Sequence, residues 1–265
     1  MINIKDLNIN NYIVNLEFSN LIYGLFARDK DLINEILLMV SGINKSKDNC
    51  FYNDENCYDN EIYFKNRIYM DFKNEYFETI KASQIAKGLK KKYSLDVDTL
   101  SLAKHLGILK IRGECTITSK YNLTKTGHSL VNASVAISTS KHLIINNPTV
   151  NLEKENDIAY IYNQFHQNSR ISILGVDSLK KIGPYLEKVI LFTDFSEVVI
   201  LSALEYVFVI DNTYNVDFHK LFLSLDSTKL IVHGLSKEDL KFCDKHTIKY
   251  KKIPLYEIEA YIWKK

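Results

Sequence analysis

Apolar and polar residues alternate with a period of two at the start of the chain. Residues 2–9 and 12–18 both follow this pattern, which predicts two β-strands that each bury one face. One slip in the first alternation is needed to keep its apolar residues on the same side. The predicted buried set of the first strand is then Ile2, Ile4, Leu7 and Ile9.

From residue 21 onward, short apolar runs alternate with segments of helical periodicity. The apolar run over 21–26 predicts a third strand. Residues 31–40 repeat apolar residues at helical spacing, and Gly42 ends this helix as a C-terminal glycine commonly does. Two more helices are predicted within 77–109, on either side of a polar break.

The later part of the chain continues the alternation of helix and apolar strand. Further strands, with helical segments between them, are predicted at 143–145, 171–176 and 188–192. This order is typical of an α/β fold with a mostly parallel sheet. The tail from Asp217 repeats the same theme more briefly and ends in an amphipathic helix over 255–263.

Composition and charge limit the classes of function. The chain has 265 residues, of which 46% are hydrophobic and 25% charged, as in an ordinary globular protein. The 34 Lys and Arg residues nearly balance the 32 Asp and Glu residues, so the net charge of +2 gives no support to nucleic-acid binding. The four cysteines have no CxxC spacing and the histidines have no metal-binding spacing. Neither a disulfide framework nor a metal site is therefore predicted.

No membrane span is predicted from the hydropathy pattern. The longest apolar stretch, 189–210, is interrupted by Asp194, Glu197 and Glu205, and each of these is costly inside a bilayer. The N-terminus lacks the basic and then apolar segments of a secretion signal. We therefore expect a cytoplasmic protein that reaches the inner face of the cell membrane only peripherally, through a partner.

Residues 22–42, IYGLFARDKDLINEILLMVSG, resemble the strand, phosphate loop and first helix of ABC transporter nucleotide-binding domains, particularly the bacterial drug- and peptide-export type. The flanks agree with that family, but the loop does not. Ala27 and Leu32 stand where the family has two glycines. Ile33 stands at the position of the phosphate-binding lysine, and Asn34 at that of the magnesium-binding hydroxyl.

A second segment, HLIINNPTVNLE at 142–153, resembles the family's strand that ends in two acidic residues. The apolar strand, the Pro-Thr pair and the following Leu are retained. Asn146 stands at the magnesium-associated aspartate, and Asn147 at the general-base glutamate. Further along, Val176 falls on the switch histidine, and LTKTG at 123–127 matches the signature loop only faintly.

The resemblance implies an architecture as well as a site. It implies a P-loop-NTPase-like α/β domain over residues 1–195, with a small antiparallel sheet, a parallel core sheet and a helical insert at about 72–140. Residues 196–265 would form a C-terminal α/β extension packed on the same domain. The strands at 21–26 and 143–145 are expected to be neighbours in the parallel sheet.

The substitutions remove the groups on which the family's chemistry depends. A phosphate loop works because glycines let backbone N–H groups converge on the phosphates while a lysine neutralises them. Hydrolysis also needs a carboxylate beside the attacking water, a role that Asn147 cannot fill. We therefore predict no catalytic residues, no metal site and no required cofactor, with at most weak ATP binding.

The function implied by this combination is a catalytically degenerate ATP-binding subunit, a pseudo-ATPase, in an ABC transporter-like export or immunity complex. Its partners would be a membrane permease, a competent ABC ATPase subunit, or both. The residues leave two alternatives open. One is an unrelated α/β enzyme with its own site in the same sheet topology, and the other is a free-standing regulatory or interaction module.

Overall fold

The computed structural model describes residues 1–44, 49–117, 121–168, 170–193, 196–211, 222–226 and 229–262. The strands are β1 (Ile2–Ile9), β2 (Tyr12–Phe18), β3 (Ile22–Phe26), β4 (Cys50–Tyr52), β5 (Glu55–Asn56), β6 (Arg67–Asp71), β7 (Cys115–Ile117), β8 (Tyr121–Leu123), β9 (His142–Asn146), β10 (Ser172–Gly175), β11 (Lys188–Phe192), β12 (Val198–Ser202), β13 (Tyr206–Asp211), β14 (Phe222–Asp226), β15 (Lys229–His233) and β16 (Tyr250–Pro254). The helices are α1 (Lys30–Val40), α2 (Glu61–Asn66), α3 (Ala82–Tyr93), α4 (Thr99–Ile108), α5 (Lys125–Ile137), α6 (Glu155–Gln167), α7 (Leu179–Ile182), α8 (Lys237–Lys245) and α9 (Glu259–Ile262).

The N-terminal strands form a small antiparallel sheet in the order β2-β1-β4-β5. The register between β1 and β2 shifts between Ile4 and Leu7, where Asp6 adopts a φ of 49°. This bulge inserts an extra residue, so the apolar residues on both sides of it point to the same face. The four residues of the predicted set, Ile2, Ile4, Leu7 and Ile9, are all buried, and the predicted slip is confirmed.

The central sheet has six strands in the order β12-β11-β3-β10-β9-β6. All neighbouring pairs are parallel except β11 with β12, which confirms the predicted parallel core. The expectation that β3 and β9 are neighbours is wrong, because β10 lies between them and pairs with both. All four residues of β10 are buried, so this short strand needs a partner on each edge.

Both faces of the central sheet are covered, and successive residues of its strands enter two different cores. In β9, Ile144 packs with α1 and the N-terminal sheet, whereas Leu143 and Ile145 pack with the helices on the other face. Helix α1 contacts β9 and β10 of the central sheet and also β1 of the N-terminal sheet. Its first turn is thereby held at the edge where the parallel strands end.

Helices α3, α4 and α5 follow β6 in the chain and precede β9, inside the range expected for a helical insert. Their buried residues, such as Leu102 and Leu130, belong to the larger core on the second face of the central sheet. The division at residue 195 stays a prediction. Strand β12, which follows that boundary, pairs with β11 in the central sheet.

The C-terminal part of the chain contains an antiparallel sheet in the order β14-β15-β13-β16. The expectation that the tail continues the parallel alternation is wrong here. Only two residues separate β14 from β15, and a parallel crossover needs a dozen or more. The predicted helix over 255–263 is also interrupted, since a 3₁₀ turn at Leu255–Glu257 precedes the short α9. Residue 263 lies outside the described residues.

Across the described residues, no helix combines the length and the apolar character that crossing a bilayer requires.

Candidate functional site

The eight positions that resemble a phosphate loop, residues 27–34, span the turn between β3 and α1 and the first turns of that helix. Strand β3 ends at Phe26 and helix α1 begins at Lys30, so only three residues connect them. The other five positions of the eight already lie in the first turns of the helix. Strand and helix are therefore joined by a short connection in which residues 30–34 are helical.

Asp29 occupies the N-terminus of α1 with its own side chain. Its Oδ1 accepts hydrogen bonds from the backbone N–H of Asp31 at 2.9 Å and of Leu32 at 3.3 Å. These N–H groups are the donors that a helix start would otherwise offer to an anion. The sequence signal is an Asp directly before the helix, which is a preferred N-cap residue.

The apolar residues of the turn and of the first part of α1 are core residues. Ala27, Leu32 and Ile33 are 3%, 1% and 2% exposed, and all three pack in the core shared by α1 and the N-terminal sheet. Ile33, at the position of the family's lysine, therefore packs in the core. Burial of Leu32 and Ile33 explains why this segment forms a regular amphipathic helix from Lys30 onward.

Lys30 folds back over the edge of the central sheet. Its Nζ donates to the carbonyl oxygen of Val176 at 2.9 Å and lies 4.9 Å from the centroid of the Phe26 ring. Partial burial lowers the pKa of Lys30, while the nearby carboxylates of Asp177 and Glu259 act in the opposite direction. The ammonium is thus directed towards the end of β10 and not towards the amides at the start of α1.

Three asparagines and Asp71 form a hydrogen-bonded cluster at the carboxyl edge of the parallel strands. Asn146 Nδ2 donates to Asp71 Oδ2 at 3.2 Å and to Asn34 Oδ1 at 3.1 Å. Asn147 Nδ2 donates to Asp71 Oδ1 at 2.9 Å. The structure thus brings together Asn34, Asn146 and Asn147, as the resemblance expects of the corresponding positions, and adds Asp71 to them.

Asp71 was not identified from the sequence. It is the last residue of β6, and its carboxylate also accepts the backbone N–H of Lys73 at 2.9 Å. A carboxylate at the end of a parallel strand is a recognisable signal, because ligand sites of open α/β sheets lie at that edge. The signal was missed because β6 is an edge strand of only five residues, far in sequence from β9.

Val176 and Asp177 follow β10 at the same edge. Val176 is 1% exposed, and its backbone N–H donates to the carbonyl oxygen of Leu25 at 2.9 Å. Asp177 Oδ1 accepts from both the backbone N–H and the hydroxyl of Thr149, at 3.0 and 2.8 Å. Val176, at the position of the switch histidine, is therefore a core residue. Its neighbour Asp177 stabilises the Pro-Thr loop after β9 through these hydrogen bonds.

The C-terminal segment reaches this edge as well. Glu259 Oε2 accepts from the hydroxyl of Ser178 and from the backbone N–H of Lys180, both at 3.1 Å. A Cβ added to Gly183 would lie 2.3 Å from the Cβ of Tyr256, which shows how closely the two segments pack. The segment after β10 is therefore held in place by residues from the end of the chain.

The segment that faintly matches the signature loop caps a helix. Thr124 is the N-cap of α5, and its hydroxyl oxygen accepts from the backbone N–H of Gly127 at 3.0 Å while donating to Glu114 Oε2 at 3.1 Å. A Cβ on Gly127 would lie 3.0 Å from the carbonyl oxygen of Glu114. The glycine therefore lets the start of α5 pack closely against the backbone of Glu114. Lys125 is exposed. Among the described residues, no hydrogen bond joins this segment to the asparagine cluster.

Candidate metal ligands are not clustered in the described part of the chain. No group of three or more His, Cys, Asp or Glu side chains there is arranged to hold a metal ion. Cys50, Cys57 and Cys243 are buried. Among the described residues, Asp71 is the carboxylate of the asparagine cluster, and both of its oxygens accept amide N–H groups.

The solved structures with a similar backbone include ATP-binding cassettes. A protein described as a cobalt transport ATP-binding protein (cbiO-2) gives a TM-score of 0.62 at 18% identity, covering 89% of this chain and 93% of that one. The ATP-binding cassette MJ0796, in a dimeric structure bound to ADP and Pi, gives a TM-score of 0.57 at 12% identity over 77% and 99%. The protein cbiO1 from Clostridium perfringens, part of the ABC transporter complex cbiONQ, gives a TM-score of 0.54 at 12% identity. The match covers 76% of this chain and 88% of that one. The chain has the fold of an ABC ATP-binding cassette.

The likeness to these cassettes concerns the fold, because the identities are all below a fifth. No protein-family model matches the chain, and no curated protein matches it. The ABC cassette fold agrees with the predicted fold class of an α/β, P-loop-NTPase-like domain with a small antiparallel sheet, a parallel core sheet and a helical insert.

Proposed function

We propose that this chain is a pseudo-ATPase: a subunit with the ABC cassette fold that does not hydrolyse ATP and acts as a structural or regulatory partner in a transporter-like export or immunity complex. The observation that carries the proposal is the Asp29 carboxylate bound to the amides at the start of α1. In a phosphate-binding cassette, that place belongs to the ligand's own negative charge.

The residues of the turn do not fit a nucleoside triphosphate. An incoming phosphate would meet the carboxylates of Asp29 and Asp31, while Ile33 supplies no positive charge. The amides it would need are already bonded to Asp29. Displacing that cap would remove a stabilising interaction of the helix without adding a lysine contact.

The residues of the asparagine cluster do not fit a magnesium ion or a general base. An ionised carboxylate only accepts hydrogen bonds, so Asn146 and Asn147 must turn their NH₂ groups towards Asp71. An NH₂ group cannot ligate a cation, and an amide cannot take the proton of an attacking water. The polar groups of the cluster form hydrogen bonds with one another. The cluster therefore has a structural role at a place where the family has a charged site.

We infer the partners and location of such a subunit by analogy with proteins of the same fold. One neighbour, cbiO1, is described as part of an ABC transporter complex. By analogy, the present chain would bind a membrane permease, a competent ABC ATPase subunit, or both, and lie in the cytoplasm at the inner face of the membrane. The hydrophobic packing of α1 against the sheet supports a structural role for the folded cassette that does not require ATP hydrolysis.

The proposal predicts that the purified protein hydrolyses no ATP above background. Loss of a single stabilising donor already lowers the rate of an enzyme by on the order of 10²–10³, and several groups are replaced here. Restoring one carboxylate with Asn147→Glu should not produce activity, because Asp29 still occupies the helix start. A steady ATPase activity that co-purifies with the protein through several independent steps would contradict the proposal.

The oligomeric state supplies a second test. Without ATP bound between two subunits, a self-pair lacks the ligand that holds cassette dimers together. Light scattering should therefore give a monomer or weak dimer, with the same mass in the presence and absence of ATP and Mg²⁺. A tight homodimer that forms only with ATP and Mg²⁺ would overturn the account of the turn.

A further inference from the structure

A cavity of about 560 Å³ lies between the edge strand β6 and helix α3, apart from the phosphate-loop turn. Its walls are rich in aromatic side chains, namely Phe64, Tyr69, Tyr76, Phe77 and Tyr93. Cavities of about 300–1,000 Å³ with mostly apolar walls and a few polar groups are typical of small-molecule sites. The size and lining therefore suit a small organic ligand.

Arg67 supplies the charged group of this cavity. Its guanidinium lies 5.0 Å from the centroid of the Phe64 ring, and its Nε is buried without a hydrogen-bond partner. Within the residues that the structure describes, no carboxylate forms an ion pair with it. Burial lowers the pKa of Arg67, yet arginine remains charged at neutral pH. A half-buried guanidinium that no described carboxylate neutralises is a binding group for an anion.

The other charges on the cavity wall cancel each other. Lys65 Nζ lies 3.5 Å from Glu61 Oε2, and both side chains are largely exposed. The wall thus carries one uncompensated positive charge among its described residues, which matches a ligand with a single negative charge.

A hydroxyl group adds a second polar contact. Tyr76 Oη accepts the backbone N–H of Asp71 at 3.1 Å and Nδ2 of Asn74 at 3.2 Å. Both contacts use its lone pairs, so its own proton is available to donate to a ligand atom. Tyr76 lies on the wall and also bonds to Asp71, so it links the cavity to the asparagine cluster.

We propose that this cavity binds an organic monoanion with an aromatic or aliphatic body, whose acidic group meets Arg67 while its apolar part lies against the aromatic wall. The proposal goes beyond the proposed function and does not depend on it, since it concerns neither the turn after β3 nor ATP. A protein that binds no nucleotide could still bind such a ligand, and the reverse also holds.

The test uses two dyes with the same aromatic frame. The anionic dye 1-anilinonaphthalene-8-sulfonate carries one negative charge, and N-phenyl-1-naphthylamine carries none. Both fluoresce when they enter an apolar site. The wild-type protein should bind one anionic dye per chain, with an affinity at least about ten-fold higher than for the neutral dye, as expected for one charge-assisted hydrogen-bonded contact. Equal affinity for the two dyes, or no saturable binding of the anionic dye, would overturn the proposal.

Two matched variants locate the contact. Arg67→Met keeps an apolar stem and should weaken the anionic dye by about ten-fold or more while leaving the neutral dye unchanged. Lys65→Met removes a cation from the same wall, and its effect should stay below about two-fold, because exposed ion pairs contribute little. If both variants weaken the anionic dye equally, the charge of Arg67 has no special role and the proposal fails.

Hydrogen exchange with and without the anionic dye locates the site in the wild-type protein. The result does not depend on whether Arg67→Met folds. In wild-type protein, protection should appear in β6 and in the end of α3, near Leu89–Leu95. Arg67→Lys keeps the charge without the planar fork and should retain part of the affinity. Protection confined to other elements would contradict the proposal.

Discussion

Asp29 and Asp71 lie at the carboxyl edge of the central sheet, and each accepts several hydrogen bonds. Asp29 accepts from two backbone N–H groups of α1, and Asp71 accepts from two asparagine amides and the backbone N–H of Lys73. These donors would otherwise be available to bound groups. At the scale of the residue, the two carboxylates therefore bind donors that belong to the chain itself.

The cap formed by Asp29 can be measured as a contribution to stability. Asp29→Ala should lower the free energy of unfolding by about 1 kcal/mol, because two N–H groups of α1 lose their acceptor. Asp29→Asn keeps an oxygen at the same place and should stay within a few tenths of a kcal/mol of the wild type. Urea denaturation followed by circular dichroism gives both values. An equal loss in both variants would show that charge, and not capping, is what matters.

The acceptor role of Asp71 gives a second prediction. Asp71→Ala leaves the Asn147 amide, which is 9% exposed overall, without its acceptor, and we expect a loss of about 1–3 kcal/mol in the free energy of unfolding. Asp71→Asn keeps one acceptor oxygen, but its new NH₂ group faces the NH₂ group of one of the two asparagines. The loss in the free energy of unfolding should therefore be smaller than that of Asp71→Ala.

The same urea denaturation measures the Asp71 variants. If Asp71→Ala is as stable as the wild type, the cluster does not have the structural role assigned to it. Addition of Mg²⁺ to the wild type supplies a control, because a cluster whose carboxylate is bonded to amides should not gain stability from the ion.

The sequence located the positions of Asn34, Asn146 and Asn147 because the surrounding strands and helix keep the spacing of a known family. It did not locate Asp71, since a lone Asp at the end of a short edge strand carries no periodic signal. Two acidic residues, Asp29 and Asp31, stand near the start of α1. Which carboxylate reaches the helix amides depends on where α1 begins, and only the structure fixes that point.

At the scale of the element, helix α1 and strand β10 pack without space between them. A Cβ on Gly175, the last residue of β10, would lie 2.6 Å from Leu37 Cδ1 and 2.9 Å from Ile33 Cγ2. It would also lie 2.7 Å from Asn146 Oδ1. The glycine therefore lets the helix and the asparagine cluster approach the sheet together.

This close packing predicts opposite effects for two glycine substitutions. Gly175→Ala should lower the free energy of unfolding by about 1–3 kcal/mol, because α1 or β10 must move to admit the methyl group. Gly88→Ala, in helix α3, meets no atom within 4 Å and should raise it by about 0.5–1 kcal/mol. Thermal or urea unfolding of the two variants provides the comparison. A stable Gly175→Ala protein would show that the two elements are less tightly packed than described.

Elements were predicted well where the pattern is local. The alternation of apolar and polar residues, with its slip, predicted the bulge in β1, and the helical spacing of apolar residues predicted α1. Strand order was predicted less well, because the apolar run of β10 looks the same whether it lies beside β3, beside β9 or between them. The antiparallel C-terminal sheet was missed because its strands have the same apolar character as parallel ones.

At the scale of the whole molecule, the cassette keeps its packing on both faces of the central sheet. The C-terminal segment joins the larger core through Leu255 and Ile258, both 0% exposed, and meets the edge of the sheet through Glu259. Shape and core thus resemble an ABC cassette, whereas the polar groups at the edge bond to one another. This contrast is the basis of the proposed pseudo-ATPase role.

The most direct test of the account is thermal unfolding of the protein with millimolar ATP, measured with and without Mg²⁺. A ligand present at about 100 times its Kd stabilises a protein by about 2.7 kcal/mol. For a chain of this size, that corresponds to a rise of roughly 5–10 °C in Tm. The account predicts a change below about 1 °C under both conditions, on the same scale of Tm per unit of free energy. A saturable, Mg²⁺-dependent rise of several degrees would contradict it.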